Sequence, residues 1–261
     1  MNGMTDKTKE FYDRQFLRDD MAHPESPEEH SFSRELKVLI DKYGLKDKRC
    51  LEVGCGRGAF QDLVADYTGT DLADAVRPYL RKPFYQASVT RLPFDDNEFD
   101  AIWTVDMLEH VPEPEQALKE MRRVLKSGGV LILDAAWYCR PWAAQGYPVR
   151  PYGDLDCRGK LIKASIPLRN SLFWRSFFIF PQRLGRLIKW QFHSREMELK
   201  YKPLQPNLEK FWMSDSDAAS SIDPFEVILW FISRGDECLS YSNGFSRFCV
   251  RSGTVVFRIN K

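Results

Sequence analysis

The sequence predicts an α/β fold: a doubly wound, mostly parallel sheet with an antiparallel terminal hairpin and a helical insertion after the fifth strand. Two observations carry this prediction. Between residues 49 and 136, short apolar runs alternate with segments of helical spacing, which is typical of a parallel sheet covered on both faces. Residues 237–242 and 254–259 read as two further strands, and the loop between them favours antiparallel pairing.

The predicted elements follow in order along the chain. A first helix is expected at 26–44, because Ser26 can cap it, Pro27 suits its first turn and Gly44 ends it. The parallel strands are expected at 49–53, 67–71, 84–88, 99–105 and 130–136. Helices are expected at 59–65, 73–81, 114–126 and 215–235, the last with a break at 223–224.

Composition divides the chain further. The net charge is only +1, yet residues 140–214 hold 14 Lys/Arg against 5 Asp/Glu and 13 of the 35 aromatic residues. This stretch interrupts the alternation of strands and helices, so we interpret it as an insertion. The predicted organisation is an N-terminal helical segment at 1–45, a main domain at 46–139 and 215–261, and a basic, aromatic insertion at 140–214.

Cysteine usage and the N-terminus predict a cytoplasmic protein. The six cysteines show no C-x-x-C spacing and no Cys/His cluster, which favours reduced thiols and predicts no metal site. The N-terminal MNGMTDKTKEFYDRQF lacks the apolar core of a signal peptide. Apolar runs long enough to cross a bilayer are not found in the sequence.

Three glycines follow the first strand directly, in CLEVGCGRGAF at 50–60. Gly54, Gly56 and Gly58 allow a sharp turn and let a ligand touch the backbone, as in nucleotide-binding loops. Asp71 ends the second strand, where a carboxylate can accept both ribose hydroxyls of an adenosine. The glycine pattern also fits the dinucleotide-binding version with Ala59 as third small residue, so an NAD-dependent oxidoreductase is a rival interpretation.

Three ordered motifs resemble class I S-adenosylmethionine-dependent methyltransferases, particularly their small-molecule, type 11-like branch, which have a Rossmann-like fold. They are CLEVGCG at 50–56, LPFDDNEFDAIWTVDMLEHV at 92–111 and PEQALKEMRRVLKSGGVLIL at 114–133. The resemblance covers about residues 45–138 closely. It implies S-adenosyl-L-methionine as cofactor, bound by Tyr12, Glu52, Gly54, Cys55, Gly56, Gly58, Asp71, Leu72, Ser88, Val89, Val105, Asp106, Met107 and His110.

Some of these roles have alternatives: Glu52 as the cap of a neighbouring loop, Asp71 as an ordinary turn residue, and Asp106 as the cap of a helix at 107–110. Ser88 stands where the family often has an Asp that receives the adenine amino group, so the Val89 backbone would carry more of that recognition, or Ser88 is a turn residue. Tyr12 resembles an aromatic residue that closes over the sulfonium, or it belongs to an amphipathic helix packed on the sheet. His110 is a catalytic base or a structural contact, and His193 is the second candidate base.

The insertion contains an aromatic, basic segment at 171–193 with apolar residues at helical spacing. It is interpreted as a lid over the substrate, with two alternatives: a helix that docks on anionic lipid, or an oligomer contact. Residues 214–235 resemble a helix of glycan-modifying methyltransferases. The expected reaction is methyl transfer to an oxygen of a small-molecule or glycan-like acceptor, with nitrogen and carbon as secondary alternatives. A catalytically silent methyltransferase-like module is the other alternative, and nucleic acid is not expected as a partner.

Overall fold

The computed structural model describes residues 2–18, 23–193 and 196–261, and these residues form two compact units. The first unit runs from the N-terminal segment to Leu108 and includes Glu113–Ala135 and Gly253–Lys261. The second unit comprises Glu109–Pro112 and Ala136–Ser252.

The helices are α1 (Asn2–Phe16), α2 (Ser33–Tyr43), α3 (Pro114–Val124), α4 (Cys157–Asn170), α5 (Leu172–His193), α6 (Pro224–Ile232) and α7 (Gly244–Cys249). The strands are β1 (Arg49–Val53), β2 (Asp66–Asp71), β3 (Phe84–Gln86), β4 (Phe99–Val105), β5 (Leu125–Asp134), β6 (Tyr201–Pro203), β7 (Ser220–Ile222), β8 (Glu237–Cys238) and β9 (Val255–Arg258).

The first unit is built on a sheet with the strand order β3-β2-β1-β4-β5-β9. The five strands β3, β2, β1, β4 and β5 run parallel, and β9 runs antiparallel to β5. The predicted mostly parallel sheet with an antiparallel end is therefore confirmed. The strand order reverses beside β1, which is where open α/β sheets bind ligands at the carboxyl ends of their strands.

Apolar side chains on both faces of the central strands form the core of this unit. Leu51, Ile102 and Leu131 are fully buried on three neighbouring strands. Helix α3 places one apolar stripe against the sheet, since Ala117, Leu118, Met121 and Val124 are all fully buried. The periodicity of the sequence thus predicted which residues of this helix face inward.

Two helices predicted beside the ligand edge do not form. Residues 59–65 form turns and bends in place of the predicted helix. The segment expected to be helical at 73–81 is a short 3-10 helix, Asp74–Tyr79, which contains Pro78 and so lacks one backbone donor. Both predictions were wrong in element type.

Other boundaries move for similar reasons. The helix expected at 26–44 begins only at Ser33, after a 3-10 turn at Pro27–Glu29. The long helix expected at 215–235 is reduced to α6, which starts at Pro224. Asp223 precedes this proline and therefore avoids the helical region, and its side chain caps α6 by accepting from the Phe225 N–H group. The loop expected between the last two strands contains α7.

The second unit is mainly helical and includes the antiparallel pair β6 and β7. Helix α6 is buried along most of its length, with Val227, Ile228, Leu229 and Phe231 fully enclosed. In the described ranges, no helix is both long enough and apolar enough to cross a membrane.

Candidate functional site

Three left-handed glycines shape the loop after β1. Gly54, Gly56 and Gly58 have φ values of +74°, +49° and +76°, which side chains with a Cβ atom rarely adopt. The N–H groups of Gly54 and Cys55 both donate to the Thr70 carbonyl, at 2.8 and 2.9 Å. The loop is therefore held against the carboxyl end of β2.

The end of β4 lies against the same loop. A Cβ atom at Gly54 would lie 2.5 Å from Cγ and 2.9 Å from Cβ of Met107, so only glycine fits there. Val105 and Met107 are half-buried, and Asp106 between them is exposed with a φ of +46°. The Asp106 N–H group donates to the Asp134 carbonyl at 3.1 Å, which fixes the turn after β4.

Asp71 links the end of β2 to the glycine loop. Its Oδ2 atom accepts from the Gly56 N–H group at 3.0 Å, and its Oδ1 atom accepts from the Ala73 N–H group at 2.9 Å. Burial raises the pKa of this carboxyl to about 6, although the backbone N–H donors oppose the shift. Each carboxylate oxygen has two lone pairs, so Asp71 retains capacity for hydroxyl donors such as those of a ribose.

Glu52 lies inside the sheet. It is buried, and its Oε2 atom accepts from the Tyr67 hydroxyl at 2.5 Å. Burial raises the pKa of Glu52 to about 8 and also raises the pKa of the neighbouring Cys55 thiol. The contacts of Glu52 are thus those of a residue that supports the loop from within.

Helix α1 reaches the glycine loop from the N-terminal segment. The ring of Phe16 would lie 3.4 Å from a Cβ atom at Gly56, and the Arg57 side chain donates to the Phe16 carbonyl at 2.6 Å. Tyr12 is half-buried on the same helix, with its ring 5.2 Å from that of the buried Phe11. Tyr12, which the resemblance places near the cofactor, therefore belongs to a helix that contacts the loop.

The turn after β3 contains Ser88 and Val89. The Ser88 hydroxyl is 2.8 Å from the Thr90 hydroxyl, and the Thr90 N–H group also donates to it, at 3.3 Å. These contacts are those of a turn residue. Val89 is buried, and the carbonyl of the half-buried Leu72 accepts from the Gln86 side chain at 3.1 Å.

Two residues of the first unit were missed from the sequence. Asp134 ends β5, and burial together with Asp106 and Glu35 raises its pKa to about 6. Burial lowers the pKa of His30, while Asp106 opposes that shift. A polar residue at the end of VLILD could have identified Asp134, but nothing in the sequence pairs His30 with a position 76 residues away.

The two candidate bases lie outside the first unit. His110 belongs to the second unit, where its Nδ1 atom is 3.2 Å from Oδ2 of Asp217 and its Nε2 atom is 3.8 Å from Oε1 of Glu109. Burial lowers the pKa of His110, but the carboxylates of Glu109 and Asp217 outweigh it and hold the pKa above its ordinary value. His193 ends α5, and its side chain lies outside the described residues.

The first unit fits an adenosine-containing cofactor on two structural grounds. The glycine backbone has no side chains at the points of closest approach, and a buried carboxylate stands at the end of the neighbouring strand. Within the part of the chain that the structure describes, no group of three or more His, Cys, Asp or Glu side chains is arranged to hold a metal ion.

Comparison with known families gives one match in this unit. Residues 51–133 match the sequence model of a family described as "Methyltransferase domain". The matched segment begins on β1 and ends on β5, so it contains the glycine loop, Asp71 and the turn after β4.

Curated relatives are similar to the chain over the same region. An uncharacterized protein of Methanocaldococcus jannaschii is 38% identical over 104 residues, which is 38% of this chain and 46% of that protein. A ubiquinone/menaquinone biosynthesis C-methyltransferase of Hahella chejuensis is 38% identical over 80 residues, 30% of this chain and 32% of that protein. A ubiquinone biosynthesis O-methyltransferase of Coxiella burnetii is 29% identical over 110 residues, 37% of this chain and 47% of that protein. The chain thus spans less than half the length of each.

Proposed function

We propose that this chain, in which residues 51–133 form a domain of the class I S-adenosylmethionine-dependent methyltransferases, transfers a methyl group to a small-molecule acceptor. The cofactor of this domain is S-adenosyl-L-methionine, which when bound supplies a sulfonium methyl group already activated for transfer. The observation that carries the proposal is the bond of the buried Asp71 carboxylate to the backbone of the glycine loop.

We assign different parts of the cofactor to different residues of the first unit. Asp71 would accept hydrogen bonds from the ribose hydroxyls, Gly54 and Gly56 would give the methionine part close access to the backbone, and Tyr12 would cover the sulfonium. Because the methyl group is already activated, placement of the acceptor and exclusion of water supply most of the acceleration. Glu52 holds the β2 side of the loop through Tyr67.

The acceptor atom is the finer part of the proposal. We favour an oxygen on a small or glycan-like molecule, with nitrogen and carbon as alternatives. The relatives that match over part of their length include both an O- and a C-methyltransferase. A hydroxyl acceptor needs a base, and His110 with its raised pKa is the first candidate, followed by His193.

Calorimetric titration with S-adenosylhomocysteine tests the cofactor site. We expect binding in the micromolar range for the natural chain, and a loss of at least about tenfold in Asp71→Ala, because a buried charged acceptor is removed. Asp74→Ala is the matched control, since Asp74 is a half-buried acid of the next turn that pairs with Arg77.

Two outcomes would contradict the proposal. Binding of NAD in place of S-adenosylhomocysteine would indicate an oxidoreductase. If neither ligand binds, the domain is a catalytically silent module.

The pH dependence of the same titration gives a further prediction. The pKa of Asp71 is raised from 3.8 to about 6, so ionising it in the folded state is unfavourable, and its contribution to stability decreases as pH rises between these values. Ribose hydroxyls donate to the ionised form, so we expect affinity to rise with pH up to about 6 and then level off, by at most about tenfold per pH unit. Asp71→Asn should flatten this profile, and an unchanged slope in that variant would assign the dependence to another group.

A further inference from the structure

On helix α5 two arginines pack against the second unit while many large apolar side chains are exposed, which is the reverse of the usual arrangement. Arg183 is only 3% exposed, and it donates to both carboxylate oxygens of Asp223, at 2.9 and 2.7 Å. Arg186, one turn later, donates to both oxygens of the buried Glu226, at 3.0 and 2.9 Å. The face of α5 that contacts the rest of the second unit is therefore the arginine face.

Seven large apolar side chains of α5 are exposed to solvent, although Phe180 stacks on Phe248 at 5.6 Å. Nine of the sixteen exposed large apolar side chains of the described residues lie on α4 and α5, and we call them the α4–α5 apolar face. They are Leu161, Leu168, Leu172, Phe173, Phe177, Phe178, Leu184, Ile188 and Phe192. Phe173 and Phe177 are each 64% exposed and Phe192 is 81% exposed. Exposed apolar patches of this extent mark interaction surfaces.

The charge around this face has one sign. Residues 157–193 contain eight Lys/Arg and no Asp/Glu, and two of the eight, Arg183 and Arg186, are paired with acids on the inner face. A second copy of the chain docked face to face would bring two such cationic surfaces together, which disfavours self-association. An anionic partner with an apolar interior satisfies both the charge and the exposed rings.

Arginines without carboxylate partners gather where α4 turns into α5. Arg140 and Arg169 lie over the Trp142 ring at 5.5 and 5.6 Å, and Arg175 lies over the Tyr138 ring at 4.8 Å. None of the three forms an ion pair with an acid within the described ranges. Burial lowers the pKa of Arg140 and of Arg175, and repulsion adds to it, from Arg175 on Arg140 and from Arg251 on Arg175. An anionic group would relieve that repulsion.

We propose that the α4–α5 apolar face docks the protein on a membrane surface that contains anionic lipids. The phenylalanines and leucines enter the interface between head groups and acyl chains, and Arg140, Arg169 and Arg175 bind lipid phosphates. Docking of this kind is independent of methyl transfer, so its failure leaves S-adenosylhomocysteine binding intact.

Co-sedimentation with vesicles tests the apolar part of the proposal. We expect binding to phosphatidylcholine vesicles with about 30% phosphatidylserine to be at least about tenfold stronger than to phosphatidylcholine alone, and to weaken in about 0.5 M NaCl. Phe173→Ser/Phe177→Ser should lose at least about tenfold in binding. Val38→Ser, which removes another exposed apolar side chain in the first unit, should bind like the natural chain.

A second pair of variants separates lipid phosphate from a soluble phosphate ligand. Arg140→Gln/Arg175→Gln should remove the preference for anionic vesicles, whereas Lys48→Gln/Lys202→Gln, with the same loss of charge at exposed lysines, should keep most of it. Inorganic pyrophosphate that binds the natural chain while vesicles do not would overturn the membrane proposal. Equal binding to neutral and anionic vesicles, or a dimer that dissociates in Phe173→Ser/Phe177→Ser without any lipid binding, would also overturn it.

Discussion

Gly54→Ala should lower the affinity for S-adenosylhomocysteine by about a hundredfold. The new Cβ atom would lie 2.9 Å from Cβ of Met107, which can move only with its backbone. The alanine would also have to adopt the φ of +74° that Gly54 has. Left-handed backbone costs about 1–2 kcal/mol and overpacking about 1–3 kcal/mol. We expect the loop to shift in order to relieve this strain, which weakens ligand binding. Each 1.4 kcal/mol of lost binding free energy corresponds to about a tenfold loss of affinity. Calorimetric titration measures the change.

Gly128→Ala separates backbone strain from the collision. Gly128 has a φ of +79°, close to that of Gly54, but a Cβ atom there would meet nothing within 4 Å. This variant should therefore lose about 1–2 kcal/mol of stability and keep its affinity for the ligand. If the two variants bind S-adenosylhomocysteine equally well, contact between the glycine loop and Met107 does not shape the site.

Arg183→Met should destabilise the second unit by about 3–5 kcal/mol. The guanidinium of Arg183 donates to Asp223, to the Val250 carbonyl at 2.7 Å, and to the Phe248 carbonyl and the Tyr138 hydroxyl. Methionine fills a similar volume but leaves these acceptors, one of them charged, without their donor. Urea denaturation followed by circular dichroism measures the loss.

Two further variants test the cause. Arg175→Met removes a cation from the same helix that stacks on Tyr138 without an ion pair, so we expect a loss below about 1 kcal/mol. Arg183→Met/Asp223→Asn removes the unpaired charge while the Asn side chain still caps α6, so it should recover part of the stability. A double variant as unstable as Arg183→Met alone would show that the carboxylate is not the source of the loss.

The sequence was most informative where local pattern alone determines structure. Apolar runs identified the strands from β1 to β5, and the glycines with Asp71 identified the ligand edge, because both depend on neighbouring residues. The helix expected at 59–65 did not form, because the spacing of apolar side chains does not by itself determine the backbone conformation. His30 needed the fold, because only the folded chain brings it near Asp106, 76 residues away.

Helix α5 shows a different limit. Its periodicity revealed two faces but not which of them contacts the protein, since arginine usually faces water. The decisive information lay 40 residues away on α6, where Asp223 and Glu226 repeat the three-residue spacing of Arg183 and Arg186. The equal spacing of the two arginines and the two acids is visible in the sequence, but many other pairs of basic and acidic segments share the same spacing.

The reversed polarity of α5 separates two kinds of evolutionary constraint on one helix. Substitutions at the arginine positions alter folding, so selection for a stable chain restricts them whatever the protein does. Phe173 and Phe177 are exposed, so substitutions there disturb no residue of the interior. Selection for stability alone would therefore allow polar residues at these two positions. Retention of large apolar residues at those positions among orthologues would therefore record selection for what the outer surface does.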